Sequence, residues 1–260
     1  MLSEVDDTAA TSFAAAHTGR PAVPLAIVIA AYNEAGGISA VVANVPGVVC
    51  GLGTEVLVVD DGSADDTAEV AARAGALVCH VRQNRGQGAA LRLGYRLARE
   101  RGAQFIATLD ADGQYDPAEL ERVVAPLVRG DADFVTGSRR LGAAHTTDRV
   151  RAAGVVVFGA LITFLTRTRI TDPANGLRAM RTEVPASLIL TQPQYQASEL
   201  LVGAILGGWR VVEVPTTMHQ RSAGETKKGG NLSYGARFAR VILTTWWRDR
   251  HRLSAKMTSS

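Results

Sequence analysis

Two aspartates separated by a single residue are the sharpest chemical feature of this 260-residue sequence. Asp110 and Asp112 lie in the stretch DADGQ, directly after an apolar run, with Gln114 close behind them. Two carboxylates ~4 Å apart repel each other by about 4 kcal/mol at an effective dielectric constant of roughly 20. A hard divalent cation relieves this repulsion, and Mg²⁺ or Mn²⁺ held by few protein ligands can also bind a diphosphate. We therefore predict a Mg²⁺ or Mn²⁺ site at Asp110 and Asp112, in which Gln114 adds a ligand or orients a water.

The competing interpretation of this acidic pair is structural, as a turn followed by a helix cap. Asp116 already supplies that cap, because it stands before Pro117 at the first position of the next helix and Glu119 at the third. The cap interpretation leaves Asp110 and Asp112 unexplained, which favours the metal site.

Polar clusters follow five apolar runs in the first 137 residues, and helical patterns separate those runs. Strands that alternate with helices predict an α/β fold with an open, mostly parallel sheet and helices on both faces. Such sheets bind ligands at the carboxyl ends of their strands, so the five clusters meet at one edge. Turns alone do not require so many polar side chains there, and we predict a binding site. The clusters are residues 32–34, 60–63, 83–86, 110–114 and 137–139.

The composition indicates a folded protein whose C-terminal end is basic. The net charge is only +3, but residues 237–256 carry six Arg or Lys and one Asp. This pattern suggests an anionic partner such as phosphate, lipid headgroups or nucleic acid. The carboxylate-rich sheet edge argues against nucleic acid, because it repels phosphate unless metal is present. Cys50 and Cys79 lack metal-ligand spacing and indicate reduced thiols in a cytoplasmic protein.

The chain divides into three parts. Residues 1–23 are acidic at their start, which argues against a signal peptide and predicts a mobile lead-in. Residues 24–230 form the α/β domain, and residues 231–260 form a basic amphipathic helix and tail. The uncharged stretch 152–166 spans ~22 Å as a helix, short of the ~30 Å core of a bilayer. We expect it to lie on a membrane or to pack in a core, without crossing.

Six motifs, taken in order, carry a family resemblance. They are AAYNE, VVDDGSADDT, NRGQGAAL, DADGQYDP, GSR and TDPANGLR. The set resembles family 2 of the nucleotide-sugar glycosyltransferases, which has the GT-A (Rossmann-like) fold, and is most similar to the dolichol- and polyprenol-phosphate sugar synthases. The similarity covers about residues 25–228, and TDPANGLR departs from the usual family pattern at Asn175 and Leu177.

The resemblance implies a donor site at the strand ends. Tyr32, Glu34 and Asp61 would line the base and ribose pocket, while Asp60 helps to set the adjoining loop. Arg221 and Lys227 belong to the basic loop RSAGETKKG, which either closes over phosphates or is a solvated charged loop. The complete implied donor set is Ala31, Tyr32, Glu34, Asp60, Asp61, Asn84, Gly88, Arg178, Arg221 and Lys227.

The resemblance also implies the catalytic groups. Asp110 and Asp112 would hold the metal and the donor diphosphate, and Arg139 would face the acceptor phosphate. Asp172 would be a base or an orienting group, itself oriented by Arg178.

The implied reaction is a metal-dependent, inverting transfer of a sugar from a nucleotide diphosphate sugar, of GDP-mannose or UDP-glucose type, to polyprenyl or dolichyl phosphate. A lipid monophosphate carries about −1.5 to −2 charge near neutral pH and needs no general base. The alternative is transfer to a hydroxyl group of a soluble glycan or natural product, which requires a base such as Asp172.

The C-terminal amphipathic helix bears on the acceptor. Arg237, Arg240 and Arg248 share one face, Phe238 and Val241 share another, and two tryptophans follow. Basic residues with Trp are typical of helices at a membrane surface. The alternatives are packing on its own domain or on a second subunit of a homo-oligomer. We expect a cytoplasmic protein, either with or without peripheral contact at the inner face of the plasma membrane.

Overall fold

One mixed sheet of eight strands runs through the part of the chain that the computed structural model describes, which is residues 4–144, 149–220 and 231–257. The strands are β1 (Leu25–Ala31), β2 (Val48–Val49), β3 (Leu52–Asp61), β4 (Leu77–Val81), β5 (Phe105–Asp110), β6 (Phe134–Ala144), β7 (Arg178–Arg181) and β8 (Val211–Met218). The helices are α1 (Glu4–Ala16), α2 (Ile38–Ala43), α3 (Thr67–Arg73), α4 (Gln87–Glu100), α5 (Leu120–Val128), α6 (Arg149–Thr166), α7 (Glu183–Ser187), α8 (Gln196–Leu206) and α9 (Asn231–Met257).

The sheet is parallel at its centre and mixed at one side. β1 lies between β3 and β5, parallel to both, and β4 extends the parallel part beyond β3. On the other side β7 runs antiparallel between β5 and β6, and β8 pairs in parallel with β6. The short β2 pairs with the start of β3. The predicted open, mostly parallel sheet is confirmed.

Strand residues alternate between two hydrophobic cores, one on each face of the sheet. Ala26 and Val28 of β1 pack with residues of α1, α4, α8 and α9 on one face. Leu25, Ile27 and Ile29 pack with residues of α2 and α5 on the other face. Burying one Leu or Ile side chain contributes ~1.5–3 kcal/mol. Burial on both faces explains why the strands are near-continuous apolar runs in the sequence.

Helix α1 contradicts the predicted mobile lead-in. Ala9, Ala10 and Phe13 are buried in the same core as residues of β4 and α4, and Asp6 pairs with Arg85. The buried positions 6, 9, 10 and 13 follow the spacing of an amphipathic helix. The acidic and alanine-rich composition concealed that spacing, because Phe13 is the only large apolar residue among the four buried positions.

The sequence pattern does not indicate strand β7. Ala179 and Met180 are fully buried in this strand of four residues. An apolar run of this length, directly after the polar stretch TDPANG, carries no periodic strand signal.

Helix α9 packs on its own domain through the face predicted to be apolar. Phe238, Val241 and Ile242 are buried, and the ring of Phe238 lies 4.7 Å from that of Phe158 on α6. The opposite face, which includes Arg240, is exposed. Among the described helices, none combines the length and the hydropathy needed to span a bilayer.

Close packing of α4 on β1 depends on Gly94, where an added Cβ would lie 2.4 Å from Cγ1 of Val28. We predict that Gly94→Ala lowers the free energy of unfolding by about 1–2 kcal/mol, because over-packing outweighs the ~1 kcal/mol gained in helix propensity. Gly154→Ala in α6 is the control, since its Cβ would meet no atom closer than 3.7 Å. Urea denaturation measures both variants. Equal midpoints for the two would contradict this packing.

Candidate active site

The carboxyl ends of β1, β3 and β5 open into one cavity of about 480 Å³. Strand register aligns these ends, since Ala31 pairs with Asp60 of β3 and Ala30 pairs with Asp110 of β5. The cavity brings together eight of the residues that the sequence indicated. They are Ala31, Tyr32, Glu34, Asp61, Asn84, Asp110, Asp112 and Arg178.

Asp110 and Asp112 form one side of this cavity. Asp110 ends β5, and its Oδ1 accepts a hydrogen bond from Nε2 of Gln87 at 3.2 Å. Asp112 is 9% exposed, and its Oδ1 accepts a hydrogen bond from the backbone N–H of Gln114 at 3.1 Å. A Cβ at Gly176 would lie 2.2 Å from Oδ2 of Asp110. Glycine at that position therefore lets the loop before β7 approach the carboxylate.

The acidic pair fits a divalent cation that also contacts phosphate. Within the described ranges, no group of three or more His, Cys, Asp or Glu side chains could hold a metal. Mg²⁺ commonly takes only one or two protein carboxylates and completes its shell with water and substrate phosphates. Gln114 is placed less favourably than predicted, since it lies outside the cavity lining and its Nε2 donates to the carbonyl oxygen of His219 at 3.3 Å.

Asp61 lines the cavity, and one of its carboxylate oxygens has no hydrogen-bond donor in the described part of the chain. Its Oδ2 accepts backbone hydrogen bonds from Arg85 at 2.9 Å and Gly86 at 2.7 Å. Its Oδ1 is buried and has no hydrogen-bond partner among the described residues. Burial raises the pKa of Asp61, and the two backbone donors offset that rise only in part. A buried acceptor without a donor costs ~1–3 kcal/mol, so Oδ1 is suited to an N–H or O–H group of a ligand.

Asp60 holds the loop after β3 and lies outside the cavity lining. Its Oδ1 accepts hydrogen bonds from the backbone N–H of Ser63 at 3.1 Å and from the Ser63 hydroxyl. Its Oδ2 lies 2.7 Å from Nδ1 of His80 on β4. The Ser63 hydroxyl accepts a hydrogen bond from the backbone N–H of Asn33 at 2.9 Å. These contacts join the loops after β1 and β3, both of which form walls of the cavity.

Asp172 forms a buried, bidentate ion pair with Arg139. Nε of Arg139 lies 2.6 Å from Oδ2 and Nη2 lies 2.6 Å from Oδ1, while the Arg139 backbone N–H also donates to Oδ2 at 3.0 Å. Burial raises the pKa of Asp172, but the hydrogen bonds and charge of Arg139 outweigh it and hold that pKa below its usual value. Both residues lie outside the cavity lining. Arg139 is therefore committed to Asp172 rather than turned toward an acceptor.

The prediction that Arg178 orients Asp172 is wrong, because Arg139 performs that task. Arg178 instead donates to the carbonyl oxygens of Ala197 at 2.7 Å and Pro173 at 3.3 Å. Burial lowers the pKa of Arg178, and its Nε has no hydrogen-bond partner among the described residues. Arg178 lines the cavity, where an anionic ligand would offset the cost of burying this cation.

Gly88, another predicted donor residue, lies outside the cavity lining. The backbone N–H of Gly88 donates to the carbonyl oxygen of Pro193 at 2.8 Å, and a Cβ there would lie 2.2 Å from the carbonyl oxygen of Gln192. Gly88 therefore permits close contact between two backbone segments, not an approach to the cavity. Arg221 and Lys227 fall outside the described residues.

Residues at the start of α8 and in α9 complete the cavity, and the motifs do not indicate them. Tyr195, Gln196 and Arg237 all line it. Tyr195 has a φ of 59°, which is uncommon for a residue with a side chain. Nε2 of Gln196 is buried without a hydrogen-bond partner in the described part of the chain. Of these three residues, the sequence indicated only Arg237, as part of the basic face of the C-terminal helix.

Comparison with known proteins finds similarity to glycosyltransferases. The model of the family described as Glycosyl transferase family 2 matches residues 26–186. An uncharacterised glycosyltransferase of Mycobacterium tuberculosis is 36% identical over 210 residues, which are 79% of this chain and 90% of that protein. The dolichyl-phosphate hexose transferase of Haloferax volcanii is 32% identical over 222 residues, which are 84% of this chain and 94% of that protein.

A solved structure shares the fold. Glucosyl-3-phosphoglycerate synthase from Mycobacterium tuberculosis, crystallised with Mn²⁺, UDP and phosphoglyceric acid, matches with a TM-score of 0.68 at 23% identity. The match covers 91% of this chain and 82% of that chain and confirms the predicted GT-A fold. With the family model spanning residues 26–186, more than half of the sequence, the chain belongs to glycosyl transferase family 2.

Proposed function

We propose that this glycosyltransferase moves a sugar from a nucleotide diphosphate sugar to a polyprenyl phosphate, with inversion and with Mg²⁺ or Mn²⁺ as cofactor. One observation carries the proposal: Asp61, whose Oδ1 has no hydrogen-bond partner among the described residues, lines the same cavity as the pair Asp110 and Asp112. The first group suits the base or ribose end of a donor, and the second suits its diphosphate. The synthase of similar fold, crystallised with UDP and Mn²⁺ or Mg²⁺, supports a donor of UDP-glucose or GDP-mannose type.

The cavity groups have distinct tasks in this transfer. Asp61 accepts a hydrogen bond from the nucleoside and fixes that end of the donor. Asp110 and Asp112 hold the cation beside the diphosphate. When bound, the cation stabilises the negative charge that builds on the leaving diphosphate. Arg178 and Arg237 add positive charge to the same cavity, which favours anionic ligands.

The contacts of Asp172 favour a phosphate acceptor over a hydroxyl acceptor. A hydroxyl group needs a carboxylate base within hydrogen-bond reach. Asp172 is fully buried, both of its oxygens accept hydrogen bonds from Arg139, and its pKa is lowered, so it is a poor base. A phosphate acceptor needs none. The relative named as a dolichyl-phosphate hexose transferase supports this acceptor class, and a soluble hydroxyl with a different base stays the alternative.

Exposed apolar side chains on α6 and α9 support contact with a membrane surface. Phe164 of α6 is 81% exposed, and Leu243 and Trp247 of α9 are 45% and 60% exposed. The two helices lie side by side, since Nε1 of Trp246 donates to the carbonyl oxygen of Leu165 at 3.0 Å. The exposed residues therefore belong to neighbouring helices rather than to distant parts of the protein.

Arginines accompany this apolar surface. Arg140 and Arg169 line a groove of about 410 Å³ together with Phe164, and Arg240 is exposed on α9. Anionic lipids attract basic residues near the membrane by roughly 1 kcal/mol each. We therefore propose peripheral contact with anionic phospholipid at the inner face of the plasma membrane.

Asp112→Asn should abolish metal-dependent donor binding, because it removes one of the two charges that face the cation. We expect turnover to fall at least ~100-fold and the thermal protection by Mn²⁺ with UDP- or GDP-sugars to disappear. Donor at 100 times its Kd stabilises the wild type by about 2.7 kcal/mol. Asp116→Asn is the control, because Asp116 caps the next turn and Asn caps equally well. Unchanged protection in the Asp112 variant would move the diphosphate site elsewhere.

The acceptor class can be tested with a polyprenyl phosphate and the corresponding polyprenol, each offered with the same labelled donor. We expect labelled lipid only from the phosphate, because the hydroxyl lacks a suitable base. Extraction into organic solvent separates the lipid product from the donor. Transfer to polyprenol, or to soluble glycans alone, would contradict a phosphate acceptor.

Phe164→Glu and Trp247→Glu should each weaken binding to phosphatidylglycerol vesicles about tenfold or more, because each replaces an apolar side chain with a negative charge. Co-sedimentation at several lipid concentrations measures the change. Val48→Glu is the matched control, since Val48 is 59% exposed but lies on β2. If all three variants bind the vesicles equally well, the protein does not contact the membrane through α6 and α9.

A further inference from the structure

Helix α1 carries a buried carboxylate that the proposed reaction does not use. Asp6 is 7% exposed, and its Oδ1 pairs with Nη1 of Arg85. The Arg85 side chain is itself only 15% exposed. Two opposite charges that are both largely buried are costly to separate. The helix is therefore tied by charge to the loop after β4.

Arg85 stands between Asp6 and the nucleotide end of the cavity. Its backbone N–H donates to Oδ2 of Asp61 at 2.9 Å. Its Nε lies 3.6 Å from Oδ1 of the same carboxylate, which is within the range of an ion pair but beyond a hydrogen bond. Nε and Nη2 of Arg85 and Oδ1 of Asp61 all lack hydrogen-bond partners among the described residues. The guanidinium is thus close to Oδ1 but donates no hydrogen bond to it.

We infer that Asp6 is a positioning residue for nucleotide recognition, since it holds the Arg85 guanidinium away from Oδ1 of Asp61 and leaves that oxygen without a hydrogen-bond donor from Arg85. A shift of about 0.8 Å would bring Nε to the distance of a charge-assisted hydrogen bond with Oδ1. Without Asp6, Asp61 is the carboxylate nearest to this cation in the described contacts. Arg85 would then compete with the nucleoside. The inference rests on the proposed function.

The neighbouring residue Asp7 supplies a matched control. It pairs with Arg96 at 2.5 Å, and Arg96 also pairs with Glu100 at 2.6 Å. This pair joins α1 to α4 as well, but neither Asp7 nor Arg96 lines the cavity. Asp7→Asn therefore tests attachment of the helix without disturbing Arg85.

The experiment measures the Kd of UDP and of GDP in the presence of Mn²⁺ for the full chain and four variants. The variants are Asp6→Asn, Asp7→Asn, Arg85→Gln and the double variant Asp6→Asn/Arg85→Gln. We expect Asp6→Asn to weaken binding of the preferred nucleotide about tenfold or more, as expected when one hydrogen bond to a charged group is lost. Asp7→Asn should stay within about twofold. The double variant should recover to the affinity of Arg85→Gln, because the competing cation is gone.

Recovery of nucleotide affinity in the double variant distinguishes a positioning role of Asp6 from simple attachment of the helix. Equal weakening in Asp6→Asn and in the double variant, or wild-type affinity in Asp6→Asn, would overturn the inference. Thermal midpoints measured in parallel identify a variant that fails to fold, in which case the comparison of Arg85→Gln with the double variant decides. If the wild type binds neither nucleotide, the proposed function fails and this inference fails with it. If the wild type binds but Asp6→Asn matches it, only this inference fails.

Discussion

Negative charge gathered at one sheet edge is the constraint on which the rest of the structure depends. β1 aligns the ends of β3 and β5, so their carboxylates cannot move apart without breaking the sheet. The protein compensates part of this charge itself, through a serine and a histidine at Asp60 and through two backbone N–H groups at Asp61. Asp110 and Asp112 line the cavity, where Asp110 accepts a hydrogen bond from the Gln87 side chain and Asp112 accepts one from the backbone N–H of Gln114. In the proposed function, a divalent cation and the donor diphosphate compensate the charge of this pair.

In the ion pair between Arg139 and Asp172, by contrast, the protein itself supplies the compensating charge. Here the protein matches one buried carboxylate to one buried arginine with two hydrogen bonds of 2.6 Å. Such a pair contributes little net stability but is costly to break, because either partner alone leaves a buried charge. It fixes strand β6 at Arg139 against the loop before β7. Rigid loops around a cavity hold reacting groups in a constant geometry, which is what a transfer between two bound substrates requires.

The strand-end motifs could be predicted from sequence because their signal is local. Asp61, Asp110 and Asp112 each follow an apolar run, and the rule for parallel sheets places them together. The partner of Asp172 could not be predicted, because Arg139 lies 33 residues away and Arg178 is nearer in the sequence. The pairing of Asp6 with Arg85 spans 79 residues. Contacts of this kind depend on how distant segments pack together on the sheet. Composition and periodicity do not predict that packing.

Strand β7 affects the order in which the sheet can assemble as the chain leaves the ribosome. The parallel strands β1, β3, β4 and β5 find one another within the first 110 residues. β6 emerges next, yet its partners among the described strands are β7 and β8, both of which are synthesised later. Until residues 178–181 appear, the nascent β6 keeps two open edges beside the apolar helix α6. Open strand edges are where nascent chains aggregate or recruit chaperones, so β6 is open to such contacts until β7 and β8 have been synthesised.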